Sequence, residues 1–133
     1  KPIYEATIIE DGVLVMCDIL TIDKDGKVDI YEIKLNYEMN ETILNDLAIQ
    51  YNICKKRFGN NLQSFHLVLL NNEGDKNWKT KELSAELEKQ IDNVNKKINE
   101  FKSVLKENEP DIKMGQHCYK PYNCEFIEYC GNL

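Results

Sequence analysis

Three side chains on two neighbouring β-rich segments carry the chemistry legible in this sequence: Asp18, Glu32 and Lys34. Asp18 interrupts the apolar run Val13 to Leu20, where a lone charge is expensive to bury. Glu32 and Lys34 stand two residues apart in Asp29-Ile-Tyr-Glu-Ile-Lys-Leu35. On a strand their side chains leave the same face, and Ile33 leaves the other. If the two segments pair, Asp18 and Glu32 converge on one cation, with Lys34 beside them. Two carboxylates plus a main-chain carbonyl, that of Ile33, suit a hard ion such as Mg2+ or Mn2+. Such an ion would polarise a phosphate ester and lower the pKa of its bound water. Lys34 would orient or activate that water and offset charge developing at phosphorus. Taken alone, Glu-x-Lys is more often a solvated pair on an exposed strand face, and the apolar setting of Asp18 is what weighs against that.

The elements that must position these residues follow from periodicity. Ile3 to Ile9 reads as a strand, with Glu10-Asp11-Gly12 a hairpin turn of the Asp-Gly type. Val13 to Ile22 is a second strand, Asp23-Lys24-Asp25-Gly26 a second turn, and Val28 to Leu35 a third strand, together a β-meander. From Asn40 to about Phe58 the period changes, with Ile43, Leu44, Leu47, Ala48, Tyr51 and Cys54 on one helical stripe. Asn40 is its expected N-cap, Glu41 favours the positive end of the dipole, and Gly59-Asn60-Asn61 ends it. This helix places Asp46 and Gln50 on one face at i, i+4. Gln50 would hydrogen-bond the lysine or a phosphate there, or else cap the sheet edge or face water.

Leu62 to Leu70 is a short apolar run expected as a buried strand, with His66 a satisfied core histidine. Asn71 to Asn77 is expected as a polar loop. Thr80 to Asn108 is expected as one long helix, closed by Pro110, with Trp78 as its surface anchor. Leu83, Leu87, Ile91, Val94, Ile98, Phe101 and Leu105 make its apolar stripe. The stripe would pack on the sheet, or form a seam for a protein partner through helix 80–108. The order of elements is that of an α/β layer architecture, with a core over residues 1–110 and a Cys-rich tail over 111–133.

Composition bounds the function. The chain has 133 residues, enough for one domain with a single core, and 42% hydrophobic against 30% charged residues is the balance of a globular chain. No apolar run approaches the ~20 residues that span a bilayer, so no membrane role is expected. A net charge of -6 argues against broad electrostatic capture of nucleic acid by the chain as a whole. It leaves room for a carboxylate-lined metal site, whose charge the cation offsets. With neither an initiator methionine nor an apolar signal region, the chain is expected to begin inside a longer, cytoplasmic protein.

Asp18, the Glu32-Ile-Lys34 motif and the helix with Gln50-Tyr51 resemble the RecB-type branch of the PD-(D/E)xK nuclease superfamily, which includes CRISPR-associated exonucleases. Ile3-Tyr-Glu-Ala6, Tyr31-Glu-Ile-Lys34, Asp46-Leu-Ala-Ile-Gln-Tyr51 and His117-Cys-Tyr-Lys-Pro-Tyr-Asn-Cys124 resemble a bacterial family within it, so the likeness covers nearly the whole chain. It implies a restriction-endonuclease-like core: a three-stranded meander, a helix, a strand and a long helix. It implies a Mg2+- or Mn2+-dependent deoxyribonuclease, an exonuclease hydrolysing phosphodiester bonds in single strands or at DNA ends, in repair or defence against foreign DNA. Asp18 and Glu32 would be metal ligands, Lys34 the catalytic lysine, and Gln50 and Tyr51 part of the following motif. Glu5 matches a family position near the metal. The family core opens with a helix for which this chain has no room, so a fragment that binds metal without cleaving is the alternative.

Five cysteines are present, of which Cys17 and Cys54 sit singly in apolar patterns and read as buried inert thiols. Cys118, Cys124 and Cys130, with five residues between successive members, crowd the tail beside His117. An odd trio with no secretory signal points to metal or cluster ligation over a disulfide framework. The resemblance implies a [4Fe–4S] cluster completed by a fourth, upstream cysteine in the longer parent chain. Zinc on His117 and the three cysteines, and plain free thiols, are the rival readings. Three functions therefore compete: a metal-dependent nuclease, an inactive nuclease fold binding nucleic acid or protein, and a zinc-stapled interaction domain.

Overall fold

A computed structural model describes residues 1–70 and 77–133. Its strands are β1 (Ile3–Glu10), β2 (Val13–Ile22), β3 (Val28–Lys34), β4 (Leu62–Leu70) and β5 (Trp78–Glu82). Its helices are α1 (Glu41–Phe58), α2 (Ser84–Glu88), α3 (Ile91–Leu105) and α4 (Ile127–Gly131). The five strands form one mixed sheet in the order β1-β2-β3-β4-β5. All neighbours are antiparallel except β3 and β4, which are parallel and joined through α1, the kind of crossover a parallel pair needs. The fold is thus α/β, and no described helix is long and apolar enough to cross a membrane.

The meander forms where turn chemistry allows it. Asp11 and Gly12 both have positive φ, 54° and 72°, the pair of left-handed residues that a two-residue hairpin of matching twist demands. At the second turn the Asp23 carboxylate accepts from the Asp25 and Lys27 N–H groups at 2.8 and 2.9 Å. Helix α1 starts at Asn40, whose Oδ1 accepts from the Ile43 N–H at 2.9 Å. It stops at Gly59, φ 55°, whose N–H returns to the Lys55 carbonyl.

One face of the sheet carries Ile8, Val15, Cys17, Leu20, Ile30, Phe65, Leu67 and Leu69, all buried. Helix α1 lies against this side, with Leu47, Ala48, Tyr51, Ile53 and Cys54 buried along it. Residues of the other face, among them Ile9, Leu14, Met16 and Ile33, are exposed. Cys17 and Cys54 are both fully buried, and their sulfurs face each other at 3.5 Å across the β2–α1 contact. That shared contact, together with burial, pushes the Cys54 thiol up.

Three expectations need correction. The single helix over residues 80–108 is not formed. Its first residues make β5, and the remainder is α2 and α3 with a break at Lys89 and Gln90. Thr80-Lys-Glu lacks apolar residues, so nothing in its own period separates edge strand from helix; pairing with β4 decides. The apolar stripe keeps its spacing across the break, from buried Leu83 and Leu87 to Val94 and Ile98, but Phe101 and Leu105 are 61% and 84% exposed. Second, His66 is half-buried rather than core. It stacks on Tyr31 (ring centroids 4.6 Å apart, planes 8° from parallel), and its Nε2 lies 2.8 Å from the Ser64 Oγ. Third, Trp78 is a half-exposed strand residue paired with Leu70. The polar loop expected at Asn71 to Asn77 lies outside the described residues, apart from Asn77.

The chain divides into two compact units, Lys1–Lys96 and Lys97–Leu133, the boundary falling inside α3. The first holds the whole sheet with α1 and α2. The second holds the three tail cysteines.

Candidate metal centre

The candidate centre sits where β2 and β3 part. Their ladder runs from Ile22↔Val28 to Ile19↔Tyr31 and stops there. The next two positions would be Asp18 opposite Glu32 and Cys17 opposite Ile33. In their place, side chains take over the main-chain donors. The Asp18 N–H donates to Glu32 Oε1 at 2.9 Å, and the Ile33 N–H donates to Asp18 Oδ2 at 2.7 Å. Each carboxylate thus satisfies a donor that the diverging ladder leaves orphaned, which fixes one oxygen of each group.

A break in strand alternation makes this possible. Cys17 and Leu20 are both buried, although three residues apart, so β2 changes phase at Asp18. The irregularity is shared by β1. Tyr4 pairs with Ile19 and Ala6 with Cys17, which puts Glu5 across from Asp18, and Glu5 has φ 51°. A non-glycine residue in that region costs about 1–2 kcal/mol. Glu5 is exposed, and the register brings its backbone beside the centre.

Glu32 and Lys34 project from one face of β3 and Ile33 from the other, where it is 37% exposed. The Glu32 face is the one α1 covers, so Glu32 is only 2% exposed. Burial pushes its pKa up to about 7; the Asp18 N–H and Lys34 pull it down, and the Asp18 charge adds to the rise.

Helix α1 supplies the roof. Lys34 Nζ meets Asp46 Oδ2 at 2.5 Å, an ion pair that clamps the lysine from above. One turn on, the Gln50 amide lies between Asp46 and Glu32. With its nitrogen towards Glu32 it donates to Oε1 and Oε2 at 2.8 and 3.1 Å. Turned about, the nitrogen meets Asp46 Oδ2 at 3.3 Å, and its oxygen opposes the Glu32 carboxylate. Hydrogen-bond logic selects the first orientation while Glu32 is ionised, and the second once it carries a proton. Either way Gln50 is 9% exposed and reads the charge state of Glu32.

Asp18, Glu32, Lys34 and Gln50 therefore converge, and Asp46 joins them. Sequence reasoning placed Asp46 on the Gln50 face but gave it no role; the i, i+4 spacing was the available signal. Tyr51 does not converge. Its hydroxyl donates to Glu88 Oε2 of α2 at 2.5 Å and its ring meets Phe65 edge-on at 5.8 Å. Burial and the Glu88 carboxylate push the Tyr51 hydroxyl pKa upward.

Among the described residues no three His, Cys, Asp or Glu side chains are grouped so as to hold a metal ion. Two carboxylates with a main-chain carbonyl and water fall outside such a grouping, and Mg2+ commonly binds through one or two carboxylates while keeping waters. The donor set at β2 and β3 fits that pattern: hard oxygens, rigidly held, with a buried carboxylate whose ionisation a cation would favour. In the second unit Cys118 is buried, Cys130 half-buried and Cys124 exposed. The Cys124 N–H donates to the Cys118 carbonyl at 2.7 Å, and the Phe126 N–H points at Cys124 Sγ at 3.5 Å. No protein-family model and no curated protein matches the chain.

Proposed function

We propose that this chain carries the catalytic core of a divalent-metal-dependent deoxyribonuclease of the PD-(D/E)xK type, an exonuclease of the RecB-like branch. The observation that carries the reading is the crossed pair of main-chain to carboxylate hydrogen bonds where β2 and β3 diverge, Asp18 N–H to Glu32 and Ile33 N–H to Asp18, with Lys34 on the face of Glu32. A Mg2+ or Mn2+ ion held by Asp18, Glu32 and the Ile33 carbonyl would polarise the scissile phosphate and acidify a bound water. The chain's own residues do the rest. Asp46 holds the Lys34 ammonium at the mouth of the centre, where it offsets charge developing on the phosphate oxygens. Gln50 holds the Glu32 carboxylate from the helix side, keeping its orientation when ionised. Burial beneath α1 keeps bulk water from Glu32, so each nearby charge acts in a low dielectric.

The test is cleavage of end-labelled single- and double-stranded DNA with Mn2+, comparing wild type with Lys34→Ala. Because Lys34 is half-exposed and serves chemistry, the variant is expected to fold normally and lose cleavage. Equal cleavage by both proteins would remove the assignment. One observation favours a second reading, a nuclease fold that binds without cutting: the net charge of -6, which weakens capture of a polyanion. DNA binding with no cleavage by wild type would select it.

A further inference from the structure

The strands of the sheet carry three lysines among the described residues, Lys34, Lys79 and Lys81, and register places all three on one face. In one row Lys34 pairs with Leu69, and Leu69 with Lys79. In the row beside it Glu32 pairs with Leu67, and Leu67 with Lys81. Directly paired residues share a face. Leu67 and Leu69 are buried on the side that holds Glu32, so Lys79 and Lys81 emerge on that side too. They lie two inter-strand steps, about 10 Å, from the β3 residues of their rows. Both are exposed, and neither makes an ion pair among the described residues. Lys34, Lys56 and Arg57, by contrast, are each paired with a carboxylate. Since the leucines between are covered, the two lysines form a cationic rim beyond the catalytic centre and not part of its mouth.

We propose that Lys79 and Lys81 bind the phosphodiester backbone of single-stranded DNA flanking the scissile bond. The inference rests on the nuclease reading for its ligand class and extends it to residues that play no part in the chemistry. An acidic chain holds a polyanion only where unpaired cations are gathered, and β5 gathers two at alternate positions on the site's own face. Lysines on an edge strand also discourage strand-to-strand association. The test must therefore separate ligand binding from edge protection.

The experiment is fluorescence anisotropy of a short labelled single-stranded oligodeoxynucleotide, titrated with this chain in EDTA across a series of salt concentrations. Wild type is compared with Lys79→Gln/Lys81→Gln and with the charge-keeping Lys79→Arg/Lys81→Arg. The Gln variant is expected to bind at least tenfold more weakly at low salt. Its slope of log affinity against log salt should shrink by about 1.4, at about 0.7 per lost phosphate contact. The Arg variant should bind as wild type does, and all three should keep one oligomeric state by sedimentation. Equal affinity and slope in wild type and the Gln variant overturn the proposal, as does a wild type that does not bind the oligonucleotide. A Gln variant that merely self-associates, with binding per chain unchanged, overturns it in favour of edge protection. Binding in EDTA needs no metal, so the two readings fail separately. Lysine-dependent binding without Mn2+ cleavage keeps the rim and loses the nuclease, whereas cleavage with lysine-independent binding does the reverse.

Discussion

A carboxylate that is 2% exposed, with its pKa lifted by burial to about 7, ties the stability of the metal-free chain to pH. The folded state binds the Glu32 proton more tightly than the unfolded state, so the contribution is fully present below about pH 4.5. It is lost as pH rises through about 7. At about 1.4 kcal/mol per pKa unit the loss is on the order of 3 kcal/mol. Urea unfolding in EDTA at about pH 5 and about pH 8 should show wild type losing that much more stability than Glu32→Gln. Parallel pH profiles would mean that Glu32 is not the buried acid described. Asp46 behaves differently, since its pair with Lys34 is partly exposed at 27% and 47%. Asp46→Asn should cost under about 1 kcal/mol of stability by the same unfolding assay, yet depress Mn2+-dependent cleavage by tenfold or more. A stability loss with cleavage unchanged would make the pair structural only. The Asp18, Glu32 and Lys34 trio was legible because strand period alone puts Glu32 and Lys34 together. The Lys34–Asp46 pair was not, because the offset between a strand and the helix packed on it leaves no trace in local spacing.

Element boundaries were legible where backbone chemistry is local. Asp11-Gly12, the Asn40 cap and Gly59 each follow from what a turn or helix end requires of one residue. The β5 strand and the break before Ile91 depend on β4 and on packing beneath Leu83 and Leu87, which no period within the segment encodes. Helix α2 is only five residues long, too short to stand alone, and is tied to α1 by Tyr51 and Glu88. Tyr51→Phe keeps the ring against Phe65 and removes only that bond. It should cost about 1–3 kcal/mol in thermal or urea unfolding while leaving Mn2+ affinity unchanged. A variant of unchanged stability that no longer binds Mn2+ would return Tyr51 to the catalytic group. The phase change at Asp18 is the other feature that local reading passes over. Val15, Cys17 and Leu20 are all apolar, so the slip from odd to even positions is hidden in a run that looks uniformly buried.

At the scale of the whole molecule, the sheet-bearing unit Lys1–Lys96 contains every residue of the candidate centre. Its five-stranded mixed sheet lets β2 and β3 diverge over α1 without exposing unpaired donors, because the carboxylates satisfy them. A cation held by that arrangement has no counterpart site in the unfolded chain, so metal should stabilise the fold by mass action. Calorimetric titration of Mn2+ into wild type and Asp18→Asn at about pH 8, where Glu32 is ionised, probes the two-carboxylate centre itself. One site is expected in wild type, with affinity at least tenfold weaker in the variant, a loss of about 1.4 kcal/mol or more. Equal Mn2+ affinity in the two proteins would contradict it.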